Sequence, residues 1–192
     1  YREYVYDGEK QISMLEFPEL KENCIIIDSE SKRYSMCGVR IGFLVIRSQS
    51  LHNAAMLFAQ ARLSPVLIGQ ILATAAHNDD AEYINSVREE YTKRRNLLVE
   101  LLNEIPGVKC PKPKGAFYCV AELPVEDADD FAQWMLESFS DNGETVMVAP
   151  ASGFYSQPEL GKKQVRIAYV LKEEDLRRSV ELIKIALEQY KK

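Results

Sequence analysis

A chain of 192 residues with 46% hydrophobic and 28% charged side chains carries enough apolar material for one large domain or parts of two, and too much for disorder. Its net charge of −5 excludes a general affinity for nucleic acid. The longest mostly apolar stretch, Val66 to Ala76, is too short for a membrane span and is interrupted by Gly69 and Gln70. The cysteines, at 24, 37, 110 and 119, show no metal-ligand spacing, and His52 and His77 stand far apart, so no metal site is expected. Cys24 and Cys119 lie in apolar runs and are expected as buried free thiols, a usage that fits a reducing cytoplasm.

Residues 23–28 and 39–47 are continuous, rich in β-branched side chains and bounded by turn formers, the pattern of short buried strands. Apolar spacing from Leu51 to Gln60 predicts a helix broken by Ser64-Pro65, and a second helix follows from Pro65 to His77. Asn78-Asp79-Asp80 offers an N-cap for a third and longest helix. That helix carries Tyr83, Val87, Tyr91, Leu98, Leu101 and Ile105 near one stripe and ends at Ile105-Pro106-Gly107. Its Glu89 and Glu90 stand four residues before Lys93 and Arg94, each such pair worth about 0.2–0.5 kcal/mol.

Beyond Gly107 the order changes. The segments 115–123, 145–149 and 164–171 read as strands, and 127–140 as a helix. A final helix over 173–190 presents Leu176, Val180, Ile183, Leu187 and Tyr190 on its inner face. Strand–helix–strand–strand–helix is an α+β module with helices on one side of a small sheet. The kink-rich segment Cys110 to Gly115 is a loop.

The chemistry concentrates at the end of the first strand. Ser29-Glu30-Ser31-Lys32 follows the apolar run Cys24 to Ile27, and Gly38-Val39-Arg40-Ile41-Gly42 comes shortly after. An amine attacks a carbonyl only when neutral, and a free lysine is mostly charged near neutral pH. Burial and neighbouring positive charge make such a lysine a usable nucleophile. An arginine gives a phosphate a forked, charged partner, and a short hydroxyl adds a donor. Gly38 and Gly42 are expected to let backbone pass close to a cofactor or to take positive φ. An isolated Ser-x-Ser-Lys more often just closes a strand. The glycine–arginine–glycine run at this step argues for more.

The pattern resembles the S-x-x-K…G-x-R-x-G signature of class I aminotransferases, the fold-type I enzymes that use pyridoxal phosphate. The likeness extends to Gly115-Ala116-Phe117-Tyr118, to Pro150 through Tyr155 and to the Val165-Arg166-Ile167 context, and so runs essentially the full chain. It implies an α/β fold: the C-terminal part of a cofactor-binding large domain over 1–80, a connecting helix over 81–106 and a small α+β domain over 107–192. It implies Lys32 as the Schiff-base lysine and proton carrier, with Ser29, Ser31 and Arg40 at the cofactor phosphate end. Tyr1 would donate to the cofactor's ring oxygen, and Arg166 would hold the substrate carboxylate. On pattern alone, Arg166 reads instead as an exposed residue of an edge strand. The usual Pro-Gly of the later landmark is Pro150-Ala151 here, which leaves that loop's conformation open.

The family's ring-nitrogen aspartate would lie three residues before Tyr1, so the chain reads as the C-terminal half of a longer protein, inactive alone and with apolar surface left uncovered. The implied function is transfer of an amino group between an L-amino acid, aspartate among the candidates, and a 2-oxo acid by a cytoplasmic homodimer. Two rivals stay open: a lyase or aminocyclopropane carboxylate synthase-like enzyme, and a catalytically silent domain.

Overall fold

The computed structural model describes residues 1–78 and 81–190, which divide into two compact units on either side of the step from Arg88 to Glu89. In the first unit a segment with two 3-10 turns, Met14–Glu16 and Pro18–Leu20, precedes β1 (Ile25–Ser29). β1 pairs antiparallel with β2 (Gly42–Ile46), Ile25 facing Ile46 and Ser29 facing Gly42. The connection between them holds a four-residue helix, α1 (Glu30–Arg33), and a 3-10 turn at Cys37–Val39. Two helices follow, α2 (Gln49–Arg62) and α3 (Leu67–Ala76), separated by the break around Ser64-Pro65.

The two strands were expected to be buried and are not. Ile27 is 82% exposed, and Ile25, Phe43, Leu44 and Val45 are open as well. A continuous apolar run needs cover on both faces. Here a two-stranded ribbon meets only part of α2, leaving an open groove of about 460 Å³ lined by Ile27, Phe43, Leu44, Phe58 and Arg62 among others. The apolar surface continues over α2 and α3, where Phe58 is 79% exposed. Cys24, also expected inside, is only half-buried.

The longest helix, α4 (Ala81–Asn103), runs through the boundary between the units. The N-cap expected for it falls on Asp79 and Asp80, which lie outside the described residues. Its buried side chains are Arg95, Leu97, Leu98, Val99 and Leu102, so the inner stripe is rotated from the one the spacing suggested, and Tyr83 is exposed. The reason is Arg95. Its guanidinium is fully buried and donates to the Pro113 carbonyl at 3.0 Å, tying α4 to the loop after it. Asn103 reinforces that tie through paired 2.9 Å bonds with the backbone of Cys110. Of the two expected helix pairs, Glu90–Arg94 forms at 2.8 Å, while Glu89 and Lys93 form no ion pair among the described residues.

In the second unit β3 (Tyr118–Glu122), β4 (Ala149–Pro150) and β5 (Gln164–Ala168) form an antiparallel sheet in the order β3-β5-β4. Of the strand expected over 145–149 only Ala149 pairs, and β4 extends to Pro150 instead, while the Thr145 hydroxyl is drawn 2.7 Å from the Met135 carbonyl. The helices are α5 (Ala128–Glu137), capped by Asp127, and α6 (Glu173–Gln189). Phe131, Met135, Ala121, Val165, Leu176 and Ile183 interlock in the solvent-free core. Within it the Cys110 thiol donates to the Pro111 carbonyl at 3.9 Å and the Cys119 thiol to the Ile167 carbonyl at 3.7 Å, and the two thiols' influence on each other pushes Cys110 down and, with burial, Cys119 up.

Tyr190 closes this core, edge-on to Phe131 with centroids 5.1 Å apart and 5.2 Å from Trp134. Burial, with Asp130 and Asp127 nearby, raises its phenol above the ordinary value. A raised phenol keeps its full contribution below the unfolded value of about 10 and loses it as pH climbs through the folded one. Melting temperature is therefore expected to fall as pH rises above about 10, and Tyr190→Phe to flatten that fall. Equal alkaline slopes in the two proteins would refute the assignment.

Candidate active site

β1 ends where Ser29, in extended backbone, caps α1. Its hydroxyl accepts from the Ser31 N–H at 3.1 Å and lies 2.9 Å from the Ser31 hydroxyl. The Glu30 N–H donates to the Ile41 carbonyl at 3.1 Å, which closes the loop 30–41 next to the Ser29–Gly42 pair. Gly42 is needed there for contact, not for positive φ: a Cβ would stand 2.9 Å from the Asp28 carbonyl oxygen. Gly69 does the same from α3, where a Cβ would meet the Val39 carbonyl oxygen at 2.8 Å. Gly38 meets no protein atom within 4 Å and carries no positive φ, so of the two roles expected for it the conformational one is absent.

Lys32 stands in the middle of α1, half-buried. The buried Tyr4 donates its hydroxyl to the Lys32 carbonyl at 2.7 Å, and Arg33 pairs with Glu3 at 3.1 Å. No described residue offers the Lys32 amine a hydrogen bond or an ion pair, so the turn is fastened while its amine stays free. Tyr1 joins the cluster through Tyr4, the two rings edge-on with centroids 6.5 Å apart, and is itself 46% exposed.

Arg40 carries the positive φ that the glycines do not. At φ 60°, ψ 43° it is left-handed, a conformation that costs a non-glycine residue about 1 kcal/mol or more. One guanidinium nitrogen donates to the Cys37 carbonyl at 2.8 Å, and the exposed remainder keeps its other donors. Asp28, the carboxylate available to it in sequence, pairs with Arg2 at 3.2 Å instead. Ser29, Ser31, Lys32 and Arg40 thus share one closed loop or its rim.

Arg166 belongs to the second unit. It lies on β5, the central strand, opposite Val120 of β3 and Ala149 of β4, and is half-buried, so the edge-strand reading from pattern is corrected. Its guanidinium lies over the rings of Tyr118 and Phe154, 4.6 Å from each centroid. Cation–π contact of this kind is worth about 0.5–1 kcal/mol at exposed sites and leaves the N–H fork unspent. No described carboxylate takes that fork. The neighbouring Ala151 adopts right-handed backbone at φ −98°, so the loop forms without the glycine usual in the motif.

Sequence reading missed Tyr4 beside Lys32, and Tyr118 and Phe154 beside Arg166. The latter two stood inside quoted landmarks, but only the fold shows what they touch.

An amine without a competing carboxylate, two hydroxyls and a guanidinium with donors left over on one loop suit an aldehyde cofactor bearing a phosphate. The described residues fit pyridoxal phosphate. No described helix is long and apolar enough to cross a membrane.

The family profile of aminotransferase class I and II matches residues 1–183. The chain is 33% identical over 198 residues to an aspartate aminotransferase of Bacillus subtilis, covering 99% of this chain and 48% of that protein. It is 30% identical to an aspartate aminotransferase of Pyrococcus horikoshii, covering 98% and 46%. The solved aromatic aminotransferase from Pyrococcus horikoshii superposes with a TM-score of 0.83 at 28% identity, covering 98% of this chain and 49% of that one. The chain thus spans about half the length of the curated relatives it matches. It belongs to the class I and II aminotransferase family.

Proposed function

We propose that this chain supplies the lysine-bearing and carboxylate-binding parts of a pyridoxal-phosphate aminotransferase that exchanges an amino group between an L-amino acid and a 2-oxo acid. The observation that carries the reading is the partner-free Lys32 amine on a turn fastened from below, in one closed loop with Arg40. Aspartate is the favoured donor because the curated relatives cited above are aspartate aminotransferases. The division into a large-domain part over 1–80, a connecting helix over 81–106 and a small domain over 107–192 belongs to the same proposal, as do a homodimer and a cytoplasmic location.

Bound pyridoxal phosphate supplies the electron sink for breaking a bond at the amino acid's α carbon. Lys32 would hold the cofactor through its aldehyde carbon, with loss of water, and its free amine would carry the proton at the substrate's α carbon. Ser29, Ser31 and Arg40 hold the phosphate with charge-assisted hydrogen bonds. The Tyr1 hydroxyl donates to the cofactor's ring oxygen. Arg166 receives the α-carboxylate in a two-pronged pair, its plane kept by Tyr118 and Phe154.

The test is borohydride reduction in the presence of pyridoxal phosphate, followed by peptide mapping. It is run on the chain and on the chain joined to the N-terminal half of the Bacillus subtilis relative. Label on Lys32 and turnover only in the joined protein support the reading, and label scattered over many lysines in both refutes it. Robust turnover by the 192 residues alone would refute the proposal that they are inactive by themselves.

A further inference from the structure

Glu30 lies two residues before Lys32, yet it is only 3% exposed. Its Oε1 is 3.0 Å from His77 Nε2, and its buried Oε2 has no hydrogen-bond partner. His77 caps the C-terminal end of α3, and its Nδ1 is 3.2 Å from the Tyr34 hydroxyl. The Tyr34 ring meets the imidazole edge-on at 5.3 Å, and the Tyr34 N–H closes the turn onto the Glu30 carbonyl. One imidazole therefore grips residues 30 and 34. In a helical turn, residues four apart share a face, and the residue midway between them points round the other side. That residue is Lys32.

A buried carboxyl with one oxygen unsatisfied is costly. An apolar side chain of similar volume would pack the same space without that cost. Packing alone does not account for Glu30. A tie of fixed geometry between α1 and α3 does.

We propose that His77, acting through Glu30 and Tyr34, is a positioning residue for Lys32, holding the back of the lysine turn so that the free amine projects in one direction. The proposal rests on the reading of Lys32 as the cofactor lysine. Tyr4 holds the Lys32 carbonyl as a second fastening. Restricting the lysine's Cα in this way raises the fraction of time that Nζ meets an aldehyde carbon in reactive geometry.

Two readouts on the 192-residue chain test it: amide hydrogen exchange over 29–36, and the share of borohydride-fixed pyridoxal phosphate found on Lys32. His77→Leu is expected to speed exchange over 31–34 at least tenfold, with β3 and β5 unchanged, and to lower the Lys32 share at least fivefold. His77→Gln, which keeps a side-chain donor, is expected to recover half or more of both. Tyr34→Phe keeps the ring against His77 and Tyr83, serves if His77→Leu does not fold, and is expected to give a smaller loss in the same direction. A lowered melting temperature with the Lys32 share unchanged would mean a purely structural role and overturn the proposal. If the unaltered chain takes no label on Lys32, the label is read on the chain joined to the relative's N-terminal half, and in either protein unchanged exchange in His77→Leu overturns the clamp.

Discussion

Lys32→Arg is expected to lower amino transfer by at least about 10⁴-fold in the protein joined to a relative's N-terminal half. A guanidinium keeps the charge and reach of the side chain but stays protonated, so it neither attacks an aldehyde nor carries a proton. Proton transfer by a positioned side chain alone is worth about 10²–10⁴-fold, and loss of the covalent attachment adds to it. Lys32→Ala should fall equally far and regain part of the rate when a small primary amine is added. The check is single-turnover conversion of bound cofactor by an amino acid, read by absorbance. Retention of a tenth of the activity in either variant would exclude Lys32 from the chemistry.

The second large effect is expected at Arg166. Truncating one partner of a hydrogen-bonded charge pair costs about 2–5 kcal/mol, so Arg166→Ala should lower kcat/KM roughly 30-fold to several thousand-fold. Arg166→Lys should recover little, because an ammonium cannot present two parallel donors to a carboxylate. Phe154→Leu removes one of the two rings over which the guanidinium lies, and a loss of up to about fivefold follows from the size of such a contact. The discriminating readout is inhibition by simple dicarboxylic and monocarboxylic acids, which should weaken in parallel with kcat/KM. Unchanged inhibition in Arg166→Ala would move the carboxylate site elsewhere.

The lysine turn was legible because its signal is local: a capping serine, a lysine three residues on and an arginine eight beyond that all lie in one short loop. The helices α2, α3 and α6 were legible for the same reason, each announced by its own periodicity and its own breaker. What failed was non-local. The apolar runs of β1 and β2 look the same whether or not anything covers them, so their exposure was invisible. Arg166 alternates like an edge residue, and only the pairing of β5 with both β3 and β4 makes its strand central. Arg95 broke the expected stripe of α4 because a fully buried arginine is rare enough that spacing rules place it outside. Glu30 and His77 are 47 positions apart, and no sequence pattern joins them.

The closure of the loop 30–41 has a consequence for how this part of the molecule is inherited and assembled. Ser29 faces Gly42, and the Glu30 N–H reaches the Ile41 carbonyl, so the lysine and the arginine are spaced by one short ring of chain rather than by distant packing. Contacts this close in sequence form early and cheaply during folding. The spacing of the two cations is therefore a property of a self-contained cassette. An insertion or deletion inside 30–41 would disturb it directly, whereas a change of length around Pro106 would leave it as it is.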